Sequence, residues 1–260
     1  DLVVITAYLL CSAWLGLRLS GRQRDTKDYF IGDRRLPWWA VCLSVVATET
    51  SALTVISIPG VAYLGDVTFL QVAVGYMIGR VVVAFVLLPR YYRGEMTTAY
   101  AYLGLRFGRG MQSTAAVTFL FTRLLADGVR LFAAAIPMKI VLDAYGLEMS
   151  YFGIIAVLGV VTVLYTFIGG IRAVVWVDVV QMALYVVGGV IALSLIVSSL
   201  DVNFLEVAAA EGKTRFVDFT SDPISAPYAT VTAVLGGALL STASHGADQI
   251  IVQRLLGCRS

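Results

Sequence analysis

Ala47-Thr48-Glu49-Thr50-Ser51-Ala52-Leu53-Thr54 lies inside the apolar run Trp38–Tyr63. One carboxylate and four hydroxyls therefore fall near the middle of a segment long enough to cross a bilayer. Pro59-Gly60 follows a few residues later and weakens the helix on that side. Hydrocarbon leaves such groups unsatisfied unless protein, water or an ion pairs with them. The stretch reads as half of an ion and solute site, on a helix weakened to one side of it.

The composition agrees. The chain is 59% hydrophobic and 14% charged, with a mean hydropathy of +0.85, whereas soluble domains are about a quarter charged. This is the profile of an all-α, polytopic membrane protein whose surroundings are a lipid bilayer. A net charge of +2 with no basic patch excludes nucleic acid as a partner. Cys11, Cys42 and Cys258 show neither disulfide spacing nor a His–Cys cluster, so they read as packing residues. Leu2–Leu19 runs into a basic loop without a small-residue cleavage site, which suits a first membrane helix rather than a removed signal.

A spanning helix needs about 20 mostly apolar residues. Seven segments qualify: Leu2–Leu19, Trp38–Tyr63, Val67–Pro89, Ser113–Leu142, Tyr151–Gly169, Val174–Leu200 and Tyr228–Leu256. Arg18, Arg22, Arg24, Lys27, Arg34, Arg35, Arg90, Arg93, Arg106, Arg109, Arg172, Arg254 and Arg259 fall in or beside alternate connections. The other side holds only Lys139, Lys213 and Arg215. The positive-inside rule then places the N-terminus outside and residue 260 in the cytoplasm, in a plasma (inner) membrane. Thr97–Phe107 is expected to form a short helix at the cytoplasmic surface. Asp201–Pro227 either caps the outer face or forms a half-buried interfacial turn through Phe204, Leu205 and Val207.

Ionisable groups within spans carry the functional reading, since burying one uncompensated costs on the order of 3 kcal/mol or more. Glu49 admits two roles, pairing to an arginine or coordinating a cation or a solute amine or hydroxyl. If the helix opens around it, backbone carbonyls become available, and Na+ as a hard cation favours oxygen ligands. The last span carries a matching irregularity, Gly236-Gly237 followed by Ser241-Thr242-Ala243-Ser244-His245-Gly246-Ala247-Asp248. It is expected to interrupt that span, and His245, the one histidine, is either a satisfied core group or, with Ser244, turned toward solute. Arg123, Asp127 and Arg130 share a helical face, either as an internal salt-bridge cluster or with Arg130 reaching a cavity to fork onto a carboxylate. Asp178 either pairs with Arg172 or lies on the inward path of a released ion. Arg80 is expected to snorkel.

Four motifs in register resemble those of the sodium/solute symporter family. Gly169-Gly170-Ile171-Arg172-Ala173-Val174-Val175-Trp176-Val177-Asp178-Val179-Val180-Gln181 is similar to its signature. Asp28-Tyr29-Phe30-Ile31-Gly32-Asp33-Arg34, then Trp38, resembles its cytoplasmic motif before the first core helix. Tyr102-Leu103 with Arg106-Phe107 resembles the loop after the second core helix, and Asp248-Gln249 with Gln253-Arg254 the end of the sixth. Members of the family transport sugars, sialic acid, proline, vitamins and iodide.

The resemblance implies a LeuT-type inverted-repeat fold with seven transmembrane helices in a single domain over residues 1–260, incomplete at the C-terminus. Residues 1–37 would be an extra helix and loop, 38–200 the first five-helix repeat, and 201–260 an outer loop and the first helix of the second repeat. It further implies sodium-coupled symport, importing a small organic solute by alternating access. Na+ would bind backbone carbonyls at Ala47 and Thr50, with Asp178 tied to a second sodium site or to ion release. Ser51 and Thr54 match hydroxyls that bind the substrate carboxylate in sialic-acid transporters, where an arginine on the third core helix, here Arg130 or Arg123, also contributes. That set accommodates an anionic solute, with Glu49, Ser244 and His245 as further solute ligands. Val177 replaces the family's usual Thr before Asp178, which weakens a second sodium site. Ser244-His245 stands where sugar transporters carry aromatic residues, which argues against a stacked hexose. Three rival readings stand beside this one: a transporter-like sensor, a proton-coupled variant through Glu49, and an intramembrane acid–base enzyme using Glu49, His245 and Asp248. The last has no H-E-x-x-H or G-x-S-x-G motif behind it.

Overall fold

The computed structural model describes residues 2–19, 26–93, 96 and 98–259. Among the described residues the chain is mostly helical, with no strand and an isolated parallel bridge between Leu36 and Cys258. The helices are α1 (Leu2–Leu19), α2 (Thr26–Ile31), α3 (Trp38–Glu49), α4 (Ala52–Leu64), α5 (Gln71–Val82), α6 (Leu88–Arg93) and α7 (Ala99–Phe107). There follow α8 (Arg109–Ala144), α9 (Tyr151–Ser198), α10 (Phe204–Ala210), α11 (Thr230–Ala247) and α12 (Gln249–Leu256). A π-helical turn, Val83–Leu87, joins α5 to α6. Arg22, Arg24 and Thr97, used above for topology and for the surface helix, lie outside the described residues; Ala99–Phe107 is helical as expected.

Among the described residues two stretches, Val67–Arg93 and Tyr151–Ser198, are long and apolar enough to cross a membrane, and α3 with α4, a pair bent by 66°, makes a third if taken as one span. At 1.5 Å per residue the 48 residues of α9 would run about 72 Å, twice the thickness of a bilayer core. Gly170 divides it, with φ 57° and ψ −160°, a conformation that only glycine adopts without strain. The predicted boundary between the fifth and sixth spans, at Gly169, thus falls on a real bend. Beyond it Val186, Val187, Ile191 and Leu195 are all about half exposed, a surface suited to hydrocarbon.

The chain forms two compact units. One comprises Asp1–Thr54, Leu103–Ala183 and Gln253–Ser260; the other comprises Val55–Tyr102 and Leu184–Val252. Unit one buries Ile31, Ala40, Val41, Ala173, Val175, Val177 and Leu256. Trp39 of α3 and Trp176 of α9 meet edge to face at 5.5 Å, which brings the second and sixth predicted spans together.

Unit two is built on the packing of α5 against α11. A methyl group on Gly75 would lie 2.3 Å from the Val234 carbonyl oxygen, and one on Gly79 would lie 2.4 Å from that of Ala238. Small residues four apart allow this backbone-to-backbone approach. Gly237 belongs to the same seam, since its added carbon would sit 2.6 Å from the Val72 oxygen. This corrects one expectation: Gly236-Gly237 does not interrupt the last span, and α11 runs unbroken through it to Ala247. The segment after α10 is fastened to the start of α5's approach. Lys213 Nζ donates to Tyr63 O (2.6 Å), Val67 N donates to Lys213 O (3.2 Å), and Arg215 pairs with Asp66 (2.8 Å). Phe204, Leu205 and Val207 sit on α10 and are exposed on the protein, available to a membrane interface.

Asp218 accepts hydrogen bonds from the Ser221 and Thr220 hydroxyls and from the backbone N–H groups of both. The Ser221 hydroxyl above all holds this carboxyl well below the usual carboxylate range. A depressed folded-state value means stabilisation that is present above the unfolded pKa of about 3.9 and is lost as pH falls through the folded one. The melting-temperature difference between wild type and D218N is therefore expected to be constant near neutrality and to shrink below about pH 4. At the helix seam, G79A is expected to destabilise by about 1–3 kcal/mol through overpacking against fixed backbone. G128A, where an added methyl meets nothing within 4 Å, leaves the denaturation midpoint unchanged or raises it slightly.

Candidate ion and solute site

The opening predicted in the second span is present in unit one. The ladder of α3 ends with Thr50 N donating to Val46 O (3.0 Å), because Thr50 turns extended at φ −75° and ψ 121°. α4 resumes at Ala52. Carbonyls of the last helical turn, that of Ala47 among them, have no following N–H in the ladder. The Thr48 and Thr50 hydroxyls fold back onto the Ser44 and Val46 oxygens at 2.8 and 3.0 Å, one turn earlier. Ser51 begins the next helix: its Oγ lies 3.4 Å from both Thr54 N and Thr54 Oγ1, an N-cap arrangement. Ser51 and Thr54, expected together as solute ligands, are thus neighbours. A carbonyl-rich helix end and an N–H-rich helix start stand two residues apart, the first suited to a cation and the second to an anion. Glu49, half-buried, is the last residue of α3.

Arg123, Asp127 and Arg130 form the linked cluster that their spacing predicts. Arg123 Nε lies 3.0 Å from Asp127 Oδ2, and Arg130 lies 3.7 Å from Asp127 Oδ1. The Arg130 side chain is 41% exposed, against 18% for Arg123, so Arg130 is the one with surface available to a ligand.

Asp178 does not pair with Arg172. Six residues along a helix is about 240° of rotation, so the two side chains leave on different faces. Arg172 instead pairs with Asp28 at 2.6 Å and also reaches Gly32 O at 3.4 Å. Asp178 Oδ2 accepts the Ser44 hydroxyl (2.5 Å) and the Arg254 guanidinium (3.1 Å from Nη2), while Arg254 Nε donates to Ser44 Oγ at 2.9 Å. The side chains of Arg254 and Asp178 are only 8% and 13% exposed, and Ser44 is fully buried. Sequence reading missed this knot. Arg254 and Asp178 stand in separate quoted motifs, but nothing local marks Ser44.

Other residues of the quoted motifs meet nearby in the same unit. Gln253 Nε2 donates to Phe30 O (2.6 Å), Tyr29 Oη donates to Phe167 O (3.1 Å), and Leu36 N and Gly257 O are joined at 3.1 Å. In unit two, His245 is 4% exposed, with Nδ1 3.1 Å from Ser244 Oγ and 3.2 Å from Ser241 O. Nδ1 also lies 3.4 Å from Ser241 Oγ, so it has a partner in either tautomer.

These geometries converge with the comparisons. The profile of the Sodium:solute symporter family matches residues 29–260, and the chain belongs to that family. It is 32% identical to the human (Homo sapiens) sodium/iodide cotransporter over 251 residues, covering 95% of this chain and 38% of that protein. It is 31% identical to the human sodium-coupled monocarboxylate transporter 1 over 265 residues, covering 100% of this chain and 42% of that protein. The chain therefore spans about two-fifths of the length of these relatives. A solved structure described as the substrate-bound outward-open state of a Na+-coupled sialic acid symporter, with a novel Na+ site, superimposes with a TM-score of 0.83 at 26% identity, over 99% of this chain and 53% of that one. The family is one of transporters, which sets aside the intramembrane-enzyme reading.

Removing one partner of a buried ion pair strands the other charge. R254M is expected to lower stability by about 3–5 kcal/mol. D178N added to R254M recovers part of that loss, so a double-mutant cycle of unfolding midpoints gives a clear coupling energy between the two.

Proposed function

We propose that this chain carries the sodium-binding portion of a Na+-coupled secondary symporter that imports a small anion by alternating access. The opening of the second span at Thr50-Ser51 carries the proposal, because it sets a carbonyl end beside an N–H end in mid-span. Na+ would bind the carbonyl oxygens of Ala47 and Thr50. The anion would bind the Ser51 and Thr54 hydroxyls at the start of α4, with Arg130 as its countercharge and Glu49 orienting polar groups of the solute. Ser244 and His245 remain proposed solute ligands. Sodium and solute raise each other's affinity by one shared factor, because coupling free energy is reciprocal. The relatives named for iodide and monocarboxylates, and the structure named for sialic acid, all concern anions, which supports an anionic solute over a hexose.

Asp178 is proposed as the acceptor for sodium leaving inward. Its Oδ2 is engaged by Arg254 and Ser44, so an ion arriving there exchanges places with the guanidinium. The seven-span topology, with the N-terminus outside and residue 260 cytoplasmic, is the arrangement proposed for the bilayer.

The test is uptake of radio-iodide and of a short monocarboxylate by proteoliposomes holding the full-length protein. An inward sodium gradient is expected to raise uptake of at least one of them severalfold over choline, with no response to a pH gradient. E49Q is expected to keep that sodium dependence. Uptake indifferent to both gradients overturns the symporter reading; uptake driven by the pH gradient and lost in E49Q transfers coupling to the proton.

A further inference from the structure

α11 ends at Ala247, where Asp248 turns extended at φ −68° and ψ 117°. The final carbonyls of the helix lose their N–H partners there. In unit two the last two of them are each met by a phenol: Gly246 O accepts the Tyr91 hydroxyl at 2.6 Å, and Ala247 O accepts the Tyr100 hydroxyl at 3.2 Å. Tyr91 stands on α6 and Tyr100 on α7, so two separate elements converge on consecutive carbonyls. The far side of the break is capped as well. Asp248 Oδ1 accepts Ile250 N–H (2.8 Å), and Gln249 Oε1 accepts the Ala99 N–H that opens α7 (3.0 Å).

The approach depends on the π-helical turn. One extra residue per turn rotates everything after it by about 100° relative to a regular helix, which aims Tyr91 at α11. Val83 and Leu87, the two ends of that turn, close over Gly246: a methyl group there would lie 2.3 Å from Leu87 Cδ1. Tyr91 is buried, and its ring stands edge-on to Tyr102 at 6.1 Å. The Tyr100 phenol is pushed up to about 12, by burial first and by the Asp248 charge second, so it remains a donor at physiological pH.

We infer that Tyr91 and Tyr100 are positioning residues that clamp the interrupted end of α11, holding the carbonyls of Gly246 and Ala247 on protein donors and fixing the direction in which the chain leaves that helix. The consequence for transport, that this end of α11 moves only when the clamp releases, rests on the symporter reading; the clamp itself does not. Hydrogen–deuterium exchange on the full-length protein in lipid nanodiscs, without sodium or solute, tests it. Y91F and Y100F remove only a hydroxyl, and each is expected to speed exchange in peptides covering 244–252: Y91F about tenfold or more, because the buried Gly246 acceptor is left unsatisfied, and Y100F about threefold, because the Ala247 acceptor is exposed. Exchange in peptides covering 113–142 is expected to stay at the wild-type rate. If Tyr91 acted by packing alone, Y91F would match wild type and only Y91L would speed exchange; that result overturns the clamp. So does an acceleration equal across 244–252 and 113–142 in the single-hydroxyl variants. Y100F, altered at a half-exposed ring, decides the matter if Y91F does not fold. Failure of sodium-driven uptake leaves this measurement untouched, so the two proposals fail separately.

Discussion

In hydrocarbon no water is at hand for a backbone carbonyl, so each interruption of a helix has to answer for the oxygens it releases. The described chain interrupts its long apolar helices at Thr50-Ser51, at Gly170 and at Asp248, and uses different chemistry at each. At Gly170 a positive φ bends the backbone between two helical arms of α9. At Asp248 the released oxygens go to two phenols. At Thr50 the nearby hydroxyls serve Ser44 and Val46, oxygens one turn back, rather than those of the last turn. The proposed cation site lies at this first break.

Charge is managed by the same rule. Asp28, Arg172, Asp178 and Arg254 could pair in more than one way, and helical rotation decides among them. Arg172 and Asp178 leave their helix on different faces, so one meets the 26–34 segment and the other meets α3 and α12. Each pair thereby ties distant parts of unit one together, and together they bring three of the quoted family motifs into one assembly.

The sequence made legible whatever depends on a single segment. Apolar length located the long helices, the expected end of the fifth segment at Gly169 fell on a bend, and the hydroxyl-rich patch around Glu49 marked the opening of the second span. What depends on a partner was not legible. Gly236-Gly237 reads equally as a break or as a packing seam, and Gly75 and Gly79, on another helix, decide for the seam. His245 read equally as a core group or a solute ligand; its burial and its contacts with Ser241 and Ser244 show only in the fold. The partners of Asp178 are 134 and 76 residues away, beyond any local pattern.

The knot at Asp178 also bears on how coupling could work. One carboxylate oxygen takes both the Ser44 hydroxyl and the Arg254 guanidinium. Breaking a buried pair by withdrawing one partner costs about 3–5 kcal/mol, because the remaining charge is stranded. A cation arriving at that oxygen removes most of this penalty, since the carboxylate is never left alone. In the proposed release route, sodium release and withdrawal of Arg254 are a single exchange rather than two events. On that proposal α12 and α3, the helices of Arg254 and Ser44, separate readily only with the ion in place. That is a difference in free energy between two states that depends on sodium, which is the physical content of coupling.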